Sequence, residues 1–217
     1  MEFGRLERRK QATRRRILDA ALQVFAERGY HDAIVDEIVR VSQTSKGAFY
    51  FHFPSKQDLY LKLVDELLGL LAERVGAAIE RARGAEAKVD AALTTVFDSF
   101  AGHRQLARVL LVDAVGLGRS FDRKLVDARA RMAGVIRRYL DQAVAEGAIG
   151  PLDAEIAAYA WLGAINEVIV RWLHTGQPDP LERAKPALRE LLLRSIGAGV
   201  TSRGRSADTL TIPDDAE

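Results

Sequence analysis

The densest chemistry in the chain lies in KGAFYFHFPSKQD, residues 46–58. Four aromatic rings (Phe49, Tyr50, Phe51, Phe53) fall within five positions, with His52 among them and Lys46 and Lys56 on either side. Residues four apart share one face of a helix. Phe49 and Phe53 then form an apolar pair, and Lys46 and Tyr50 pair a cation with a phenol. Gly47 and Ala48 leave the backbone nearly bare between them. A helix with one face to bury and another that carries donors beside bare backbone suits a groove lined with acceptors. A wholly buried aromatic stripe with a solvated lysine fits the same spacing.

Other chemistry finds little support. The chain has no cysteine, which excludes disulfides, thiol catalysis and cysteine-based zinc sites, and fits a reducing cytosol. His31, His52, His103 and His174 are scattered without metal-ligand spacing. There is no G-x-S-x-G elbow, and Gly116-Leu117-Gly118 lacks both a preceding strand and a third glycine. Glu167 and Arg171 stand four apart on a helical pattern, the spacing of a structural ion pair. No enzyme, metal or cofactor is expected.

The net charge of +2 hides an asymmetry: residues 1–56 hold 11 Lys/Arg against 7 Asp/Glu, and the remainder 21 against 23. Most of the excess sits in the first 16 residues. A basic arm of this kind suits a polyanionic partner, and a solvated, disordered tail fits it too. No secretory signal pattern is evident at the N-terminus. The most apolar run, Ile156 to Val170, is interrupted by Asn166 and Glu167 and is shorter than the roughly 20 residues a bilayer requires. A soluble, cytoplasmic protein without membrane contact is expected.

The elements that must position this segment read as helices. Arg14 to Arg28 carries Ile17, Leu18, Ala21, Leu22, Phe25 and Ala26 at helical spacing, with Thr13 as N-cap and Gly29 as stop. A short helix follows over Val35–Val41, capped by Asp32. Ser42 to Ser45 forms a break, and Pro54 ends the aromatic helix. Ser55-Lys56-Gln57-Asp58 has the form of a capping box and launches a long helix to about Arg83. Further helices are predicted over 86–102, 104–116, 119–147, 153–175 and 180–197, the last with Pro180 at its first position and Asp179 as cap. No segment alternates with period two. The fold is expected to be all-α with about nine helices, divided at 1–56, 57–200 and a disordered tail, 201–217.

A basic helix, a short helix, a tight break and a second short helix describe a helix-turn-helix. Here ILDAALQVFAERGY (17–30) and VDEIVRVSQTSKGAFYFHFPSKQDLY (35–60) resemble the DNA-binding domain of the TetR family of transcriptional regulators. The resemblance is close over about 48 residues, Thr13 to Tyr60, and architectural beyond. It implies that Gln43, Thr44, Ser45, Lys46, Gly47 and Ala48 approach base edges or nearby phosphates. It also implies that Tyr50, His52 and Lys56 meet phosphates, with Lys46 suited to guanine O6/N7. Ile34 stands where many members carry a capping threonine, Gln43 where glycine is frequent, and Phe51 where tyrosine is common.

The resemblance further implies a homodimer joined through the last two helices, binding double-stranded DNA at a near-palindromic operator. Residues 156–166 carry no charge, and 187–196 hold five Leu/Ile, which suits burial against a second copy or within one subunit. A small hydrophobic effector would occupy the middle helices, releasing the repressor. Its pocket is expected from Phe97, Phe100, Leu110, Leu111, Val115, Phe121, Leu125, Met132, Trp161, Ile165, Asn166 and Ile169, with Arg104, Arg108 or Arg119 available to a phosphate. RVLLVDAVGLGRSFDRK (108–124) and GAINEVIVRWLHTGQP (163–178) are similar to members that sense fatty acyl-CoA. A drug-like effector, or a helical interaction module without DNA binding, remain the alternatives.

Overall fold

The computed structural model describes residues 2–112 and 119–198, without the side chains at 2–5, 119–121 and 124. Val115 and the tail over 201–217 lie outside the described residues, as do the side chains of Arg119 and Phe121. Among the described residues there is no strand. The helices are α1 (Glu2–Asp32), α2 (Val35–Ser42), α3 (Lys46–His52), α4 (Lys56–Arg81), α5 (Ala85–Ala101), α6 (Arg104–Leu111), α7 (Arg119–Ala145), α8 (Ala154–Thr175) and α9 (Lys185–Ser195). A 3₁₀ turn, Leu181–Ala184, precedes α9.

Several ends differ from the sequence pattern. The first helix starts at Glu2, so Thr13 is no cap; its hydroxyl donates to the Arg9 carbonyl at 3.0 Å within the helix. Residues 5–16 contain no glycine or proline and are mostly good helix formers, so nothing stops the helix running back through the basic arm. Gly29, at φ 77 and ψ 171, does break it, and Asp32 belongs to the turn after that break. The N-cap of α2 is Ile34, without a side-chain bond. Pro180 precedes the 3₁₀ turn instead of opening α9, and the Asp179 carbonyl accepts from Arg183 at 3.1 Å. The start of α9 carries Pro186 instead.

The apolar side chains gather into two cores. One joins α1–α3 to the start of α4 around Ile17, Phe25, Ile38, Phe49, Leu59 and Tyr60, and takes in Val109 and Leu110 of α6. Each such side chain contributes about 1.5–3 kcal/mol when fully buried. Tyr60 has no exposed surface. Its ring lies 4.7 Å from Tyr30 and 5.4 Å from Phe25, and its hydroxyl donates to the Val109 carbonyl. The second core lies among α4, α5, α7, α8 and α9. Leu111 packs against both cores, so α6, like α4, is shared between them.

By length and composition α8 is apolar enough to cross a membrane. Here one face of it, with Ala154, Trp161, Ile169, Trp172 and Leu173, is buried in the second core, while Ile156 and Tyr159 are exposed.

Candidate DNA-reading surface and effector cavity

The short α3 is fixed by its caps and by one buried face. Ser45 caps its N-terminus, accepting from Ala48 N at 3.0 Å. Phe49 is wholly buried and Phe53 nearly so, with ring centroids 6.2 Å apart. At the C-terminal end Phe53 is extended (φ −139, ψ 109), as a residue before proline must be. The opposite face is open: Tyr50 is 47% and Phe51 69% exposed. Lys10 of α1 stands 5.5 Å over the Phe51 ring, and His52 meets that ring edge-on at 5.1 Å. The extended α1 therefore brings part of the basic arm beside α3.

The turn before α3 has a support that sequence reasoning missed. Gln43 takes a left-handed conformation, φ 51 and ψ 45, and caps α2. Arg16 holds this turn: its guanidinium donates to the Ser42 carbonyl at 2.7 and 3.1 Å and also to the Gln43 carbonyl. The hydroxyls of Thr44 and Ser42 lie 2.8 Å apart. No motif flags Arg16, because its partners are backbone atoms 26 and 27 residues away.

Two of the expected contact lysines are already engaged. Lys56 Nζ donates to the carbonyls of Tyr30 (2.8 Å), His31 (3.2 Å) and Ala33 (2.8 Å), and sits 4.5 Å over the Tyr30 ring. An ammonium has three donors. Lys56 thus closes the corner after Gly29 in place of reaching outward, and its burial pulls its pKa down. Lys46 Nζ lies 2.7 Å from Asp36 Oδ1 in the first turn of α2. That hydrogen bond raises the Lys46 pKa. His52 is shifted the other way, first by burial and then by Lys10 and Arg14.

Gly47 is informative because nothing inside the protein requires it. A Cβ there would meet only Ser45 Oγ, at 3.9 Å. A helical glycine costs about 1 kcal/mol against alanine. The space above its Cα is therefore open on this face of α3.

Between α4, α5, α6, α7, α8 and α9 lies a cavity of about 490 Å³. From the expected set, Phe100, Leu110, Leu111, Leu125, Met132, Trp161, Ile165, Asn166 and Ile169 line it. Phe97 does not, being packed in the second core with no exposed surface. Arg104 bonds the Trp172 carbonyl at 3.2 Å and stacks on that ring, and the exposed Arg108 is absent from the lining.

The polar lining is sparse, and it includes two cations that sequence reasoning missed, Lys88 and Arg129. Among the described residues no acid lines the cavity. Among the described residues neither cation has an ion pair or hydrogen bond, and the Asn166 amide has no hydrogen bond. Trp161 Nε1, also on the wall, donates to Ser195 Oγ at 2.9 Å.

The two cations stand at opposite ends. A hydrogen bond from Tyr139 to the Gly76 carbonyl and the Arg131–Asp65 pair set α7 parallel to α4, which puts Arg129 beside the start of the cavity. The link over residues 82–84 turns α5 back along α4, which puts Lys88 level with Ile79. Along α7 the lining residues from Arg129 to Ala143 span about 21 Å of helix at 1.5 Å per residue. Such a space suits a long apolar chain with an anionic end.

Comparison with known proteins agrees with both halves. Residues 17–63 match the family model of bacterial regulatory proteins of the tetR family. Residues 82–196 match the tetracyclin repressor-like C-terminal domain. The fatty acid metabolism regulator protein of Bacillus subtilis is 26% identical over 181 residues, which are 83% of this chain and 93% of that protein. The transcriptional activator FasR of Mycolicibacterium smegmatis is 36% identical over 85 residues, 39% of each chain. The crystal structure of the Bacillus subtilis regulator FadR in complex with stearoyl-CoA superposes with a TM-score of 0.76 at 26% identity, covering 83% of this chain and 98% of that one. With a helix-turn-helix surface at one end and an apolar cavity at the other, the chain belongs to the tetR family of bacterial regulatory proteins and is a DNA-binding transcriptional regulator, not an enzyme.

Proposed function

We propose that the protein is a cytoplasmic, homodimeric repressor that leaves a near-palindromic operator when a fatty acyl-CoA fills its cavity. Residues 1–56 read DNA, and residues 57–200 bind the effector and the second copy. Gln43, Thr44, Ser45, Lys46, Gly47 and Ala48 face the major groove, while Tyr50 and His52 meet phosphates. The observation that carries the coupling is α6: Leu110 and Leu111 line the cavity, and Leu110 is also buried in the core that holds α3. A ligand that alters the seat of α6 must disturb that core. It shifts the equilibrium only as far as it binds the two arrangements unequally.

The effector reading rests on the acid-free lining, the unpartnered Lys88 and Arg129, and the relative solved with stearoyl-CoA. A neutral drug-like molecule would leave both cations unpaired. The test is a mobility shift with the DNA flanking the protein's own gene. Stearoyl-CoA at micromolar concentration is expected to release the duplex, with Lys88→Ala and Arg129→Ala raising the concentration needed. Unchanged binding with acyl-CoA, but release by a neutral hydrophobic compound, overturns the acyl-CoA assignment. No shift at low salt overturns DNA binding itself. Tighter binding with acyl-CoA makes the protein an acyl-CoA-dependent binder instead.

A further inference from the structure

The outward face of α3 is poor in groups that can read bases. Gly47 has no side chain and Phe51 no hydrogen-bonding atom, and Tyr50 lies a full turn beyond the helix start. Lys46 is the one cation in the first turn of α3. A lysine alone reads loosely, because its stem is flexible and its charge is a point. Here it is not alone. Asp36, carried in by α2, holds Lys46 Nζ at 2.7 Å, and both side chains are more than half exposed. An exposed ion pair adds little to fold stability. A carboxylate on a DNA-facing surface also repels phosphate, so its position calls for another explanation.

The major-groove edge of a G·C pair supplies one. It presents guanine N7 and O6 as acceptors, followed by the cytosine N4 amino group as donor. An ion pair presents the complement: ammonium donors with a carboxylate acceptor beside them. The bridge occupies one of three ammonium hydrogens and leaves two for N7 and O6. Among the described residues Asp36 has no second partner, so its other oxygen is available to the N4 amino group. The same bridge orients the lysine.

We propose that Asp36 and Lys46 act as one unit that reads a single G·C base pair in each half-site, with Asp36 as the specificity-determining residue. This rests on the DNA-binding reading of α3. The experiment is selection from a random-sequence duplex pool with the full-length protein, its Asp36→Asn and Asp36→Ala variants, and Lys46→Ala. Wild type is expected to enrich a motif with one G·C pair whose replacement costs about tenfold or more in affinity. Asp36→Ala should erase the preference at that pair alone, Asp36→Asn should move it toward A·T, since Asn pairs with adenine, and Lys46→Ala should lose the same position. Thermal melting of each variant confirms an intact fold. The proposal is overturned if the Asp36 variants keep the wild-type base profile and simply bind all sequences more tightly, as relief of phosphate repulsion would produce. It is also overturned if Asp36 and Lys46 affect different positions. If wild type enriches no sequence at all, it is the DNA-binding reading that fails, and the inference falls with it.

Discussion

At the scale of the residue, lysines expected to do similar work do different work. Lys56 is held by three carbonyls and fixes a corner, whereas Lys46 stays at the surface with one carboxylate partner. The family resemblance implied polyanion contact for both, and the 23 to 26 residues back to the carbonyl partners of Lys56 are not visible in a local motif. Phe49 and Phe53 were legible from their spacing, as the four-residue offset alone fixes a shared face. His52 carries a pH dependence. Burial, Lys10 and Arg14 hold its pKa below the ordinary histidine value in the free protein. The unfolded chain therefore binds its proton first. The stability this neutral histidine retains is complete above the ordinary value and is lost as pH falls through the folded one. If His52 meets a phosphate as proposed, that phosphate favours the imidazolium and DNA binding takes up a proton. Affinity should rise as pH drops from about 7 toward 5, by up to tenfold per unit, and His52→Gln should flatten that slope in binding titrations at constant ionic strength.

The helices themselves were legible, because apolar residues recur at helical spacing and glycines and prolines separate them. Their ends were less so. The expected Thr13 start failed because the basic arm is a good helix former and a hydroxyl inside a helix can bond four residues back. Gly29 was read correctly as a stop, and its φ of 77 gives the reason. With ψ at 171 this is positive-φ extended backbone that only glycine adopts readily, so an alanine there would cost about 1–3 kcal/mol. Gly29→Ala should lower the unfolding free energy by that amount, moving the urea midpoint down by that energy divided by the slope, with the slope itself unchanged since the cores remain the same. The corner it governs also presents the carbonyls that Lys56 caps, so the loss should show first in α1–α3. Native-state hydrogen exchange would detect it there, with α8 and α9 amides unaffected.

At the scale of the whole molecule, α6 serves two cores, a property no local pattern in the sequence displays. Many of the expected apolar residues line the cavity, though Phe97 does not, and its cations were not foreseen, because Lys88 and Arg129 look like ordinary surface charges on amphipathic helices. The helices α8 and α9 leave an apolar face uncovered. Ile156 is 66%, Tyr159 47% and Leu191 58% exposed on α8 and α9. If these faces join two copies, Ile156→Glu with Leu191→Glu should yield a monomer by sedimentation at micromolar concentration, with helix content retained and operator affinity reduced at least tenfold. A variant that stays dimeric would move the interface elsewhere. The chain has only two tryptophans, and both lie in the effector half. Trp161 is on the cavity wall, tied to Ser195, and Trp172 is covered by Arg104. The protein therefore carries its own optical probe. Tryptophan fluorescence, excited selectively at the red edge, will report what enters the cavity while remaining silent about α1–α3, and Trp172→Phe would leave a single tryptophan on the cavity wall.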